Sequence, residues 1–174
     1  SAIDPVTGLH TQQYFQEFLE REWRRASREQ KSVSVIMVEV DHFRAFNERQ
    51  GKPEGDACLK SVADVLKPLV HRAADVIARY GGAGKFGIVL GATDAKGASM
   101  LAERLRDAVE HMQRPNPASP TTTILTASVG VASREEWKPE DGSSAAALVQ
   151  AADRGLYEAK RAGRNCTRPA PQDR

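Results

Sequence analysis

Cysteine is scarce in this chain: Cys58 and Cys166 are its only two, far apart and without Cys-x-x-Cys spacing. That argues against a disulfide framework or a thiolate zinc site and leaves reduced thiols in a cytoplasmic setting as the expectation. The four histidines (His10, His42, His71 and His111) show no metal-ligand spacing. No apolar run approaches the roughly 18 residues of a membrane-spanning helix, and no secretory leader is visible. Net charge is only +2, so bulk electrostatics call for neither nucleic acid nor an anionic membrane. Repeats and low-complexity segments are absent. What is present suffices for one packed domain: 174 residues, 40% of them apolar. The opening Ser1-Ala2, without Met, predicts a fragment of a longer protein.

Hydrophobic periodicity predicts the elements. Tyr14, Phe15, Phe18, Leu19 and Trp23 give one face of a helix over Thr11 to Gln30, with Glu20, Arg21, Glu22, Arg24, Arg25 and Arg28 opposite. Val33 to Val40 reads as a strand buried on both faces. Helices are expected from His42 to Gln50, stopping at Gly51, and from Gly55 to Val70. Two β-type runs, Val76 to Ala78 and Phe86 to Leu90, flank a Gly-rich turn and predict a hairpin. Asp94 is placed to cap a helix from Lys96 to Met112, and three prolines make Arg114 to Thr121 a loop. A strand from Thr123 to Ala132 and a helix from Ser143 to Ala162, ended by Gly163, complete the pattern. Arg168 to Arg174, with two prolines, reads as a frayed tail or linker. The fold class expected is α+β, a mostly antiparallel central sheet flanked by helices. Gly84-Lys85 does not make a phosphate loop, because Arg79 stands where the first glycine belongs and Phe86 where Ser or Thr belongs.

Short motifs in fixed order give a resemblance covering Asp4 to about Asn165. Asp4-Pro5-Val6-Thr7-Gly8-Leu9, Glu39-Val40-Asp41-His42-Phe43-Arg44, Asn47-Glu48, Gly51 to Asp56, Ser128 to Ala132, Ala152-Asp153-Arg154-Gly155-Leu156-Tyr157-Glu158-Ala159-Lys160 and Gly163-Arg164-Asn165 carry it. Together they resemble the GGDEF domain of bacterial diguanylate cyclases, which implies a nucleotidyl-cyclase-like (palm-like) domain over residues 1–167 with a tail over 168–174. The family's signature turn reads Gly-Gly, Asp or Glu, Glu, Phe. Here Gly81 and Gly82 are followed by Ala83, Gly84 and Lys85 before Phe86: one residue more, no carboxylate, and an added positive charge.

Active members join two GTP molecules into cyclic di-GMP as dimers, with metal ions held by hard oxygen ligands. The resemblance makes Glu39 and Asp41 remnants of that metal site, Glu39 standing in for an Asp. A charge reversed at ~4 Å is worth roughly 4 kcal/mol at an effective dielectric of 20, so Lys85 predicts a dead or nearly dead cyclase. No cofactor is then required, and Mg²⁺ would enter only with residual cyclase or GTP binding. The remnants of GTP recognition are Asn47 and Asp56 for the guanine edge and Lys160 and Arg164 for the terminal phosphates. Each also has an ordinary reading as a helix-end or surface residue.

Arg72-Ala73-Ala74-Asp75, followed by five residues and then Gly81, resembles the family's product-inhibition site. Its fork-shaped guanidinium suits a guanine edge or a phosphate, though an i,i+3 ion pair is the ordinary alternative. Arg28 is the expected second arginine, with Arg104 in reserve. The function expected is a catalytically inactive cyclic di-GMP receptor regulating a partner domain or protein, probable homodimerisation included. The competing expectations are a nucleotide-independent interaction module and a residual cyclase or GTP sensor.

Overall fold

The computed structural model describes residues 2–138 and 141–172. Its centre is strand β1, Val33–Val40, flanked on one side by a hairpin of β2 (Asp75–Arg79) and β3 (Lys85–Gly91). On the other side lie β4 (Ala127–Arg134) and β5 (Thr167–Pro169), giving the order β2-β3-β1-β4-β5. All pairings are antiparallel except β4 with β5. Helices α1 (Gln12–Glu29), α2 (Phe43–Gln50), α3 (Lys52–Leu66), α4 (Ala95–His111) and α5 (Ala145–Arg161) cover the sheet.

Alternation along β1 feeds two cores. Val33, Val35 and Met37 pack with Phe15 and Leu19 of α1 and Leu148 and Leu156 of α5. Ile36, Val38 and Val40 pack with Phe43 and Phe46 of α2, Leu59 and Val62 of α3 and Leu105 of α4. The central strand buried on both faces is therefore as its composition predicts. Caps also follow the sequence: Thr11 accepts from Tyr14 N, Asp94 from Gly97 N and Ser144 from Ala147 N.

Three boundaries differ from expectation. α3 begins at Lys52 rather than Gly55, because Pro53 in the first turn needs no N–H partner and presets φ. It ends at Leu66, where Pro68 redirects the chain into the short 3₁₀ turn Lys67–Leu69. β4 begins at Ala127 rather than Thr123, since β1 runs out at Val40 opposite Ala127. The preceding residues bond to the proline loop instead, Leu125 N to Arg114 O and Asn116 N to Thr123 O.

Of the segment expected to fray from Arg168, the first two residues belong to β5, and positions 173–174 lie outside the described residues. Thr167, Arg168 and Pro169 pair with Val129, Gly130 and Val131, and Ala170 N donates to Val131 O. Pro169 is tolerated because β5 is an edge strand. Gly155 provides the room, since a Cβ there would sit 2.7 Å from Arg168 O.

Gly130 of β4 is the tightest point between sheet and helix. A Cβ there would lie 2.1 Å from Leu156 N and 2.2 Å from Ala152 O, both backbone atoms of α5. Gly130→Ala should therefore cost about 3 kcal/mol or more in urea unfolding, the upper range for overpacking. Gly82→Ala, whose Cβ meets nothing within 4 Å, should be close to neutral.

Candidate functional site

The hairpin absorbs its extra residue in the turn. Pairing runs without interruption from Asp75↔Leu90 to Arg79↔Phe86, and Tyr80 N donates to Lys85 O at 2.8 Å. Gly81 to Gly84 form the connection, with Gly81 and Gly84 at φ of +68° and +75°, a region glycine adopts without strain. Gly81 N donates to Gln12 Oε1, and Gly84 O accepts from Val40 N. Gly84 also lies against the Phe43 ring, 2.7 Å from where a Cβ would be. Phe86 is fully buried, whereas Gly82 and Ala83 are exposed.

Register then places Lys85 opposite Glu39. Both side chains turn toward α5, because paired residues of neighbouring strands share a face. Lys85 Nζ reaches Asp153 Oδ1 at 2.5 Å and lies 5.4 Å from the centre of the Tyr80 ring. Glu39 Oε2 meets Lys160 Nζ at 2.8 Å. Asp41 is buried and saturated: Oδ1 accepts from Ser128 Oγ at 2.6 Å, Oδ2 from Thr126 Oγ1 at 2.7 Å and Asn165 N at 3.1 Å. A cleft of about 260 Å³ opens here, lined by Glu39, Asp41, His42, Arg44, Lys160 and Arg164, with Ala83 at its edge. Mg²⁺ demands near-octahedral oxygen ligation. The residues present do not fit it: Glu39 is held by an ammonium group, and Asp41 has both oxygens engaged. Among the described residues no group of three His, Cys, Asp or Glu side chains gathers as a metal site.

Asn47 and Asp56 come together at the α2–α3 turn. The Asn47 side chain lies over Gly55, where any Cβ would stand 1.6 Å from Asn47 Oδ1. That oxygen is buried and has no hydrogen-bond donor. Asp56 pairs with Lys52 at 3.2 Å. Arg164, at φ +64°, is exposed, and among the described residues its guanidinium has no side-chain partner.

The second candidate lies on the opposite face of the sheet, beneath α4. A cleft of about 280 Å³ is lined by His71, Arg72, Asp75, Thr93, Leu101 and Arg104, among others. Arg72 donates from Nε to Asp75 Oδ2 and from Nη2 to Asp75 Oδ1, both at 2.8 Å. Its Nη2 also reaches Gly91 O at 3.0 Å and Thr93 Oγ1 at 2.6 Å. The hydrogen bond to Asp75 raises the Arg72 pKa. Asp75 is only 4% exposed in its side chain against 50% for Arg72, so the carboxylate acts first by aiming the guanidinium outward. Nη1 has no partner among the described residues. Arg28 is not part of this cleft: it projects from the last turn of α1, and α1 covers the other face of the sheet. Arg104 of α4 takes the place expected for it.

A network that the sequence did not announce holds Asn165 against Asp41. Arg106 donates to Glu103 at 2.7 Å, to Glu110 at 3.3 Å and to Asn165 Oδ1 at 2.8 Å. Asn165 in turn donates to Glu110, and Thr167 to Glu103. The tripeptide Gly163-Arg164-Asn165 was its only trace in the sequence.

The family described as "Diguanylate cyclase, GGDEF domain" matches residues 1–166. The probable diguanylate cyclase DgcT of Escherichia coli is 33% identical over 162 residues, covering 93% of this chain and 34% of that protein. Diguanylate cyclase DgcP of Pseudomonas aeruginosa is 35% identical, covering 93% of this chain and 23% of its own length. This chain thus spans about a third of one curated relative and about a quarter of the other. The GGDEF domain of DgcB from Caulobacter crescentus, solved in complex with c-di-GMP, superposes with a TM-score of 0.85 at 27% identity, covering 98% of this chain and 96% of that one.

Acid should weaken the Asn165 network first. Hydrogen bonding from Arg106 holds Glu103 below its ordinary 4.5, and Asn165, then Arg106, does the same for Glu110. Each binds fewer protons folded than unfolded, so their stabilisation is complete above the unfolded value and is lost as pH falls through the depressed folded ones. Arg106→Ala should lower Tm at neutral pH, with the gap to the parent closing as pH falls below the ordinary carboxylate value of 4.5. A gap constant across that range would show that these carboxylates do not mediate the effect.

Proposed function

This chain belongs to the GGDEF family of diguanylate cyclase domains, and we propose that it acts in signalling as a cyclic di-GMP receptor rather than as a cyclase. The observation that carries the reading is the Arg72–Asp75 pair aimed into a cleft shared with Arg104. Two guanidinium groups, the Thr93 hydroxyl and apolar walls at Leu69 and Leu101 suit a planar base attached to a phosphate diester. Guanine presents N1 and N2 donors to a carboxylate. Asp75 becomes available to them when Arg72 swings toward the ligand phosphate, which exchanges one ion pair for another.

Loss of cyclase chemistry is supported at the other cleft by Lys85 opposite Glu39, by the Lys160 ammonium on Glu39 Oε2 and by the engaged oxygens of Asp41. The ligand expected from the family is a stacked pair of cyclic dinucleotides. Its four phosphate charges exceed what Arg72 and Arg104 neutralise, so a second copy or a partner domain completes the cage. Ligand would then favour the associated arrangement by population shift.

A second reading concerns the Glu39 cleft. Asn47 and Asp56 stand at the positions where the family resemblance places guanine recognition, and Arg164, which lines the cleft without a side-chain partner among the described residues, is available for phosphate. GTP binding there without turnover is compatible with the receptor reading.

Titration of cyclic di-GMP into the domain should give saturable heat with about two ligands per site, the stoichiometry of a stacked pair. Arg72→Ala and Arg104→Ala should each weaken binding by at least tenfold, the effect of about 1.5–3 kcal/mol for a charged hydrogen bond. Arg104→Ala should leave Tm nearly unchanged, whereas Arg72→Ala strands the buried Asp75 carboxylate and should lower Tm without abolishing the fold. Unaltered affinity in Arg72→Ala, or no heat at tens of micromolar protein, would sink the receptor reading.

A further inference from the structure

We infer that the Glu39 cleft takes a guanine nucleotide without a divalent cation, its lysine ammonium groups occupying the positions a metal ion would need. The inference rests on the second reading above, that this cleft still binds GTP.

Metal-dependent phosphate sites gather unpaired carboxylates, because the bound ion offsets their mutual repulsion and bridges them to phosphate oxygens. Here every such carboxylate is already answered from within the chain. Glu39 Oε2 is held by Lys160 at 2.8 Å and Asp153 Oδ1 by Lys85 at 2.5 Å. Asp41 spends both oxygens on Ser128, Thr126 and the Asn165 amide. Lys85 and Glu39 are direct cross-strand partners, so a divalent ion at Glu39 would have to displace Lys160 while facing Lys85. Among the described residues no second free carboxylate completes its shell.

The same groups can serve a phosphate directly. An ammonium has three N–H donors, and each lysine commits one of them to its carboxylate. Lys160 lines the cleft with Arg164 and Arg44, so three cationic side chains face the position of the phosphates. Arg164 has no side-chain partner among the described residues, and Arg44 is 93% exposed, held only by Glu48 at 3.4 Å. Phosphate charge is thus matched by protein cations rather than by a shared ion.

The test is equilibrium binding of GTP to this domain in EDTA and in excess Mg²⁺. The affinity in EDTA should equal or exceed that in Mg²⁺. Arg164→Ala should weaken binding at least tenfold in both buffers. Lys160→Gln should lose affinity in EDTA and not regain it on adding Mg²⁺, because Lys85 still faces Glu39 and no second free carboxylate joins it among the described residues. Binding by the parent that requires Mg²⁺ would overturn the inference while leaving the cleft a nucleotide site. Binding in neither buffer would remove both the inference and the reading beneath it. EDTA-resistant binding unchanged by Arg164→Ala would place the nucleotide elsewhere and overturn the inference. Thermal melts of each variant separate lost binding from lost fold, and the comparison of the parent in two buffers needs no variant.

Discussion

Val33, Val35 and Met37 face α1 and α5, while Ile36, Val38 and Val40 face α2, α3 and α4. That parity, continued past the last core residue, delivers Glu39 and Asp41 to the α5 side, where Lys160 and the Asn165 amide wait. Pairing with β3 then decides that Lys85, and no neighbour of it, stands opposite Glu39. A shift of one residue between β1 and β3 would send Lys85 toward the α2–α4 core, where a charged group has no partner and burial is costly. Both cores therefore enforce the same register, and the electrostatics of the cleft follow from it.

The two clefts use charge differently. At Glu39 the partners are half-buried and close, so each charge is satisfied internally, and removing one leaves the other stranded. At Arg72 the carboxylate is buried and the guanidinium half exposed. The first arrangement stabilises a closed set of contacts. The second spends the Nε–Nη2 fork on Asp75 and leaves Nη1 without a partner among the described residues. Asp75 is more buried than either lysine-paired carboxylate of the other cleft, so Arg72 also keeps that charge from being stranded.

Much of this was legible in the sequence. Element order, the doubly buried β1 and the cap at Asp94 followed from periodicity and side-chain chemistry. The spacing from Arg72 to Gly81 placed the arginine pair, and Phe86 fixed the end of the hairpin turn. What was not legible depended on packing across the sheet. Arg28 and Arg104 are both basic and helical, and only the face each helix covers separates them. The Lys85–Asp153 and Lys160–Glu39 pairings needed the register. β5 was hidden by Pro169, whose strand role depends on being at an edge and on the missing Cβ of Gly155.

The four-residue connection from Gly81 to Gly84 leaves the ladder beyond it undisturbed from Arg79↔Phe86 onward. In evolutionary terms, the turn is a place where codons can be gained or lost without compensating change in either core. A single in-frame insertion and a lysine codon alter the chemistry of the cleft while the domain keeps its foldability. Such a lineage can alter the charge lining this cleft without passing through an unfolded intermediate.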